Sequence, residues 1–197
     1  MSTTRPPLPP GAPIVVCVDD DEAVLTAVMR CLRKEAFDVR RTTSPHEALS
    51  WITTEPVAVL VADYEMPELN GAQLAGQARR VRPETVRILL TGNQTLETAV
   101  DGINQGEIFR FISKPFETDD LRRAVLAAIS RHKELVVLLG DRKHRERRDS
   151  LRVALETEYP GITTVQCASD GAYEVSDAPA TEATELGLTQ LISALQR

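Results

Sequence analysis

The sequence predicts an α/β fold in which a doubly wound, five-stranded parallel sheet is followed by a small C-terminal appendage. Two observations favour this class. Apolar runs of strand length alternate five times with helical patterns, which is typical of βαβ units. Most of these runs also end in polar or charged residues, and open α/β sheets place their sites at such carboxyl ends. The expected strands lie near residues 14–18, 37–41, 57–62, 86–91 and 107–112, and the expected helices near 21–35, 45–54, 70–82, 94–105 and 117–139.

The first predicted strand, residues 14–18, runs directly into three aspartates. The third of them, Asp21, is best placed to cap the following helix, where a negative charge meets the positive end of the helix dipole. Asp19 and Asp20 therefore remain as candidates for a site at the end of this strand.

The third predicted strand is the most apolar of the five. Residues 57–62 are all apolar and lie between Pro56 and the Met66-Pro67 turn, so they predict a central strand buried on both faces. Asp63 closes this run. A carboxylate at the end of so apolar a stretch costs free energy unless the site uses its charge.

Two later strands also end in groups that can serve a site. Residues 86–90 lead into Thr91-Gly92, and residues 108–113 lead into Lys114-Pro115-Phe116. If all these strands are parallel neighbours, their ends bring carboxylates, a hydroxyl and an ammonium together around Asp63. The steps Asn70-Gly71 and Arg82-Pro83 are credible boundaries of the helix between them.

The chemistry of such a group is specific. Clustered carboxylates raise one another's pKa unless a cation lies between them, and oxygen-only ligands suit Mg²⁺. A carboxylate can also attack phosphorus to form an aspartyl phosphate. A nearby lysine and a threonine hydroxyl would then stabilise the charge on the transferred group.

At this point the sequence resembles the receiver domain of two-component response regulators. The resemblance covers roughly residues 12 to 132 and rests on four motifs in the family's order and at about its spacing. It implies the strand order 2-1-3-4-5. The four motifs are Val18-Asp19-Asp20, Asp63 with Met66-Pro67, Thr91-Gly92, and Lys114-Pro115-Phe116.

The resemblance implies a role for each acidic residue of the site. Asp63 is expected to be the phospho-acceptor and, with the others, to hold Mg²⁺ as the cofactor. Asp20 is expected to be a direct metal ligand, and Asp19 to act mainly through water. Glu65 is expected to lend its backbone carbonyl to the metal.

The other matching residues carry the phosphoryl group and the switch. Thr91 and Lys114 are expected to contact the phosphoryl oxygens, and the Lys114-Pro115 bond is expected to be cis. Thr91 and Phe111 are the expected switch residues. Phe111 stands where the family often has tyrosine, so the hydrogen bond of a tyrosine hydroxyl is absent here.

The implied function is that of a cytoplasmic response regulator that takes a phosphoryl group from a sensor histidine kinase or a phosphotransfer protein. Its output is expected to be altered dimerisation or binding of an unknown output protein. No enzymatic activity is expected beyond its own phosphorylation and dephosphorylation. The alternatives are a DNA-binding transcriptional regulator and a receiver-like scaffold that is not phosphorylated.

The sequence predicts four segments. They are a disordered tail at 1–12, the receiver at 13–132, an extended helix or linker with a possible coiled coil at 133–157, and a β-hairpin plus helix at 158–197. The hairpin turn is expected at Ser169-Asp170-Gly171. No apolar run is long enough to span a membrane, and the three cysteines have no metal-ligand spacing.

The last receiver helix carries apolar residues at a coiled-coil-like spacing. Its first half is expected to pack on the sheet, while Leu135 to Leu139 are expected to pair with a partner chain, which predicts a homodimer. The seam consists of Leu121, Val125, Ala128, His132, Leu135 and Leu139.

Nucleic acid is not an expected partner. Residues 142–148 form a basic run, but eight acidic residues face two basic ones between 149 and 197, and the whole chain carries a net charge of −6. A DNA-binding output usually has a clear basic face. The basic run is therefore interpreted as a solvated, charged part of the helix.

Overall fold

A computed structural model describes residues 9–92 and 108–158, together with the backbone of 166–167 and 173–174. The helix predicted near 94–105, most of the N-terminal tail and the last predicted helix lie outside the described residues. No helix among the described residues is long and apolar enough to cross a membrane.

The predicted sheet is confirmed. Its five strands are parallel and follow the order β2-β1-β3-β4-β5. The strands are β1 Ile14–Val18, β2 Asp38–Thr42, β3 Val57–Asp63, β4 Val86–Thr91 and β5 Arg110–Ser113, and the helices are α1 Glu22–Leu32, α2 Pro45–Thr54, α3 Gly71–Val81 and α4 Thr118–Glu158.

Side-chain caps begin the first three helices. The Asp21 carboxylate accepts a hydrogen bond from the Ala23 backbone N–H at 2.7 Å, so Asp21 is the helix cap that the sequence predicts. Ser44 caps α2, and Asn70 forms a reciprocal capping box with Gln73 at the start of α3. These caps satisfy backbone donors that have no partner inside the helix.

The sheet separates two apolar layers, as a doubly wound fold requires. One layer packs α1 and α4 against one face, and the other packs α2 and α3 against the opposite face. All seven residues of β3 are buried. The central position of β3 therefore places its last residue, Asp63, at the middle of the carboxyl edge.

Helix α4 combines the helix predicted near 117–139 with the extended segment predicted at 133–157, and it continues through the basic run without interruption. Leu121, Val125 and Ala128 are buried against the sheet, as expected. Leu135 is partly buried and also packs against this core, and its contact with a partner chain stays a prediction. The large apolar residues exposed just beyond it are Val136, Val137 and Leu138.

A histidine side chain connects α4 to the segment that precedes β4. The His132 ring nitrogen Nδ1 lies 2.8 Å from the Glu84 carbonyl oxygen, just before β4. We expect His132→Ala to lower the free energy of unfolding by about 1–2 kcal/mol, because this hydrogen bond is lost and the carbonyl is left without its partner. Urea unfolding measures the change. His144→Ala is the matched control, since His144 is exposed on the same helix. Equal stability of the two variants would contradict the prediction.

The C-terminal part contains a short antiparallel pair. Strand β6, Gln166–Cys167, pairs with β7, Tyr173–Glu174. This pair lies within the segment where the sequence predicts the hairpin. The chain divides into two compact units, residues 1–142 and 143–197.

Candidate functional site

The site is built at the carboxyl edge of the sheet around Asp63. Asp63 is the last residue of β3, it is paired in register with Leu90 of β4, and it is 5% exposed. The neighbouring strand β1 ends at Val18, so Asp19 and Asp20 follow at the same edge. Parallel register therefore brings the three carboxylates together from two separate parts of the chain.

The three carboxylates form one cluster. Oxygen atoms of Asp19, Asp20 and Asp63 all lie within 4.8 Å of one another. Asp19 and Asp63 are buried, whereas Asp20 is exposed. Three hard oxygen donors at this spacing fit a divalent cation such as Mg²⁺, with Asp20 on the solvent side from which an ion and its water ligands would enter.

Lys114 provides the positive charge of the cluster. Its ammonium nitrogen lies 2.8 Å from Oδ1 of Asp63 and 2.6 Å from Oδ2 of Asp19. The Lys114 backbone N–H donates to the Thr91 carbonyl oxygen at 2.6 Å, and the Lys114-Pro115 peptide bond is cis. The ammonium thus bridges the carboxylates at the ends of β1 and β3.

Burial and hydrogen bonding act in opposite directions on the pKa values of Asp19 and Lys114. Burial raises the pKa of the Asp19 carboxyl, although hydrogen bonds from Lys114 and from the Asp21 N–H oppose the shift. Burial by itself would lower the pKa of Lys114, but the hydrogen bonds to Asp19 and Asp63 outweigh it and the pKa is raised. One ammonium therefore does not fully offset the burial of Asp19, which favours a further cation at the site.

The remaining predicted residues occupy three different settings. Thr91 ends β4, is fully buried and pairs in register with Ser113. Phe111 lies in β5 and is half-buried against the apolar layer of α2 and α3. Glu65 is exposed two residues after Asp63. Their roles as phosphoryl contact, switch residue and backbone ligand stay predictions.

Gly71 is a residue of the site that sequence reasoning treated only as a helix boundary. It is the first residue of α3, it is buried, and its backbone packs directly on the carbonyl of Asp63. One sequence signal could have revealed this contact. Glycine is a poor helix former, so a glycine at the first helical position after the Asn70 cap indicates a close backbone approach.

A model of the response regulator receiver domain matches residues 15–126. The hydrogenase transcriptional regulatory protein HoxA of Cupriavidus necator is 32% identical over 157 residues, which cover 78% of this chain and 31% of that protein. The transcriptional regulatory protein GlrR of Escherichia coli is 32% identical over 111 residues, or 56% of this chain and 25% of that protein.

Solved structures share the fold. A CheY-like response regulator receiver domain protein from Methanospirillum hungatei superposes with a TM-score of 0.57 and 26% identity, covering 62% of this chain and 98% of that one. A chain described as adenylate cyclase from Rhodopirellula baltica gives a TM-score of 0.61 and 33% identity, covering 67% and 98%. The chain spans about a quarter to a third of the length of the curated relatives it matches.

Proposed function

The chain belongs to the response regulator receiver family, and from this membership we propose that it accepts a phosphoryl group on Asp63. The donor we propose is the phosphohistidine of a sensor histidine kinase or of a phosphotransfer protein. The observation that carries the proposal is the Asp63 carboxylate held in one cluster with Asp19, Asp20 and the Lys114 ammonium. The free cysteines Cys17 and Cys31 are typical of a reducing compartment, so we place the protein in the cytoplasm.

In the proposed step, a carboxylate oxygen of Asp63 forms a bond to phosphorus while the bond between phosphorus and the donor's ring nitrogen breaks. The electron pair of that bond returns to the imidazole, which takes a proton from solvent. Lys114 would hold one phosphoryl oxygen, because its ammonium already lies 2.8 Å from Asp63. Charge stabilisation of this kind lowers the barrier to phosphoryl transfer.

Mg²⁺ bound at the acidic cluster would supply positive charge to the phosphoryl oxygens. We propose that Asp19, Asp20 and Asp63 hold it with the Glu65 backbone carbonyl. The Thr91 hydroxyl would then contact the phosphoryl group, and Phe111 would respond to its movement as the second switch residue. The position of Thr91 supports its role as a phosphoryl contact, since Thr91 follows Leu90, the register partner of Asp63.

Incubation with acetyl phosphate and Mg²⁺, followed by measurement of the intact mass, tests the proposal. We expect the mass of one phosphoryl group to be added, and chelation of Mg²⁺ to prevent the addition. A protein that stays unmodified would favour the rival function of a scaffold without phosphorylation. The cluster of Asp19, Asp20, Asp63 and Lys114 argues against that rival, because a scaffold has no use for the buried carboxylates of Asp19 and Asp63.

For the output we propose self-association through α4. Val136, Val137 and Leu138 are 47%, 63% and 54% exposed, and they follow one another on the helix just beyond its packed part. Consecutive residues of a helix point in different directions, so a partner helix would cover only part of this exposed apolar segment. A second copy of the same helix offers the same residues and would cover that part in a symmetric contact. An unknown output protein is then expected to recognise the assembled form.

We expect Val137→Glu to weaken self-association at least tenfold, since a carboxylate in an apolar contact must be desolvated without a partner. Sedimentation of the full chain measures the change. Val81→Glu is the matched control, because Val81 is an exposed aliphatic residue of similar kind on another helix. If Val137→Glu associates as the unmodified chain does, or if the two variants behave alike, the contact is not on this surface.

DNA binding is the second candidate output. Curated relatives are named as transcriptional regulators, but those names belong to proteins three to four times the length matched here. The basic run 142–148 is exposed on α4. The expectation that nucleic acid is not a partner therefore stays a prediction. A gel shift with genomic fragments tests it, and a shift that is lost in Asp63→Ala would favour DNA binding.

A further inference from the structure

Gly71 approaches the backbone of Asp63 more closely than any side chain allows. A Cβ atom on Gly71 would lie 2.1 Å from the Asp63 carbonyl oxygen and 2.9 Å from its carbonyl carbon. Ordinary contacts between carbon and a carbonyl oxygen are about 3.3–3.6 Å. The residue that begins α3 thus limits where the last peptide group of β3 can lie.

Two hydrogen bonds hold the same peptide segment from both sides. The Tyr64 N–H donates to the Leu90 carbonyl oxygen of β4 at 2.8 Å, and the Gly71 N–H donates to the Tyr64 carbonyl oxygen at 3.1 Å. The backbone just after Asp63 is therefore fixed between the neighbouring strand and the first turn of α3. Asp63 has little freedom to shift its main chain.

The turn that returns the chain to Gly71 is itself tightly specified. Glu68 adopts the left-handed conformation, with φ of 67°, and the Leu69 N–H donates to the Pro67 carbonyl oxygen. The Asn70 side chain then accepts from the Gln73 N–H at 2.8 Å, and the Asn70 N–H donates to Oε1 of Gln73 at 3.1 Å. The Asn70 cap therefore determines where the first turn of α3, and with it Gly71, begins.

We propose that Gly71 is a positioning residue for phosphoryl acceptance: its missing side chain lets α3 hold the Asp63 main chain where the carboxylate meets Lys114 and the acidic cluster. This inference rests on the proposed function of Asp63. Gly71 contacts the backbone of the acceptor and not the transferred group. It acts through Asp63.

The expected effect follows from the distances. A Cβ at residue 71 must move the Asp63 carbonyl by more than about 1 Å to restore an ordinary contact. The side-chain carboxylate of Asp63 belongs to the same residue as this carbonyl, and it lies 2.8 Å from the Lys114 ammonium. A displacement of about 1 Å at a reacting group can slow a reaction about a hundredfold. We therefore expect Gly71→Ala to slow phosphorylation by about this factor.

The experiment follows the rate of phosphorylation by acetyl phosphate in saturating Mg²⁺, at a temperature where every variant is folded. Leu32→Ala is the control for stability, because Leu32 is fully buried in α1 and outside the site. We expect the rate to fall about a hundredfold in Gly71→Ala and to stay unchanged in Leu32→Ala. A purely structural role of Gly71 would make the two variants alike and would overturn the proposal.

A milder pair of variants keeps the proposal testable if Gly71→Ala does not fold. Asn70→Ala removes the cap that places Gly71, and Ser44→Ala removes the equivalent cap of α2. We expect phosphorylation to be slower in Asn70→Ala than in the unmodified chain, because the lost cap loosens the first turn of α3, and to be unaffected in Ser44→Ala. Equal rates in these two variants would also overturn the proposal.

The unmodified chain distinguishes failure of the proposed function from failure of the positioning role. If it takes up no phosphoryl group from acetyl phosphate, the proposed function itself fails. If it is phosphorylated and Gly71→Ala or Asn70→Ala matches its rate, only the positioning role fails.

Discussion

Asp63→Asn should take up no phosphoryl group from acetyl phosphate and Mg²⁺, in contrast to the unmodified chain. The carboxamide keeps the size of the side chain but replaces the nucleophilic carboxylate with a group that cannot form an aspartyl phosphate. It also removes one of the three oxygen ligands of the acidic cluster. Intact mass after incubation measures the result as the presence or absence of one phosphoryl group.

Asp21→Asn is the matched control for this experiment. Asp21 is the third aspartate in the row, it is exposed, and it caps α1. Asparagine caps helices as well as aspartate does, so the helix should be preserved. The control should gain the phosphoryl mass in full. Addition of that mass to Asp63→Asn would show that another residue is the acceptor.

Lys114→Met should be the most destabilising change among the site residues when no divalent cation is present. It leaves the carboxylates of Asp19 and Asp63 buried without the ammonium that lies 2.6 Å and 2.8 Å from them. Removing one partner of a buried ion pair costs about 3–5 kcal/mol. We expect the lower end of that range, since the Lys114 side chain is 22% exposed.

Added Mg²⁺ should restore part of this loss. A divalent cation between the carboxylates replaces the missing charge, and a ligand that binds only the folded state stabilises it. Urea unfolding of Lys114→Met, with Mg²⁺ and with a chelator, measures both the loss of stability and its recovery. The raised pKa of Lys114 means that its stabilising charge is present below its ordinary pKa and is lost only as pH rises through the raised value. Unfolding measured at neutral pH therefore includes the full stabilisation by the Lys114 charge.

Lys133→Met is the control for the loss of a lysine charge. Lys133 is exposed on α4, and surface substitutions of this kind usually change stability by less than about 0.5 kcal/mol. A Lys114→Met protein as stable as this control would contradict the role of the ammonium as the counter-ion of the cluster. The role would also be contradicted if Mg²⁺ raised the free energy of unfolding of Lys114→Met by no more than it does for the unmodified chain.

The elements that were predictable from the sequence are those that local pattern specifies. Strands β1, β3 and β4 begin where the sequence predicts, because each is a short apolar run bounded by turn residues. Asp21 was recognisable as a cap for the same reason. The sequence indicated that the last helix continues through the charged segment, but it left open whether residues 133–157 form helix or linker, because that segment has no apolar period.

The functional site likewise has some features that the sequence predicts and others that it does not. Polar residues at the ends of apolar runs predict that Asp19, Asp63 and Lys114 belong to one site, because parallel strands end at one edge. They do not predict that Lys114 bridges both carboxylates, or that Leu135 packs on the core while Val137 stays exposed. Those facts depend on contacts between residues far apart in the chain.

The sequence by itself determined the strand-and-helix alternation of this protein and the chemical groups at the carboxyl ends of its strands, because both follow from side-chain type and spacing along the chain. Only the tertiary structure decided the distances among those groups, the burial that raises the pKa of Asp19, and the contact of Gly71 with Asp63. Strand register and helix packing set these quantities, and they arise only when distant segments meet.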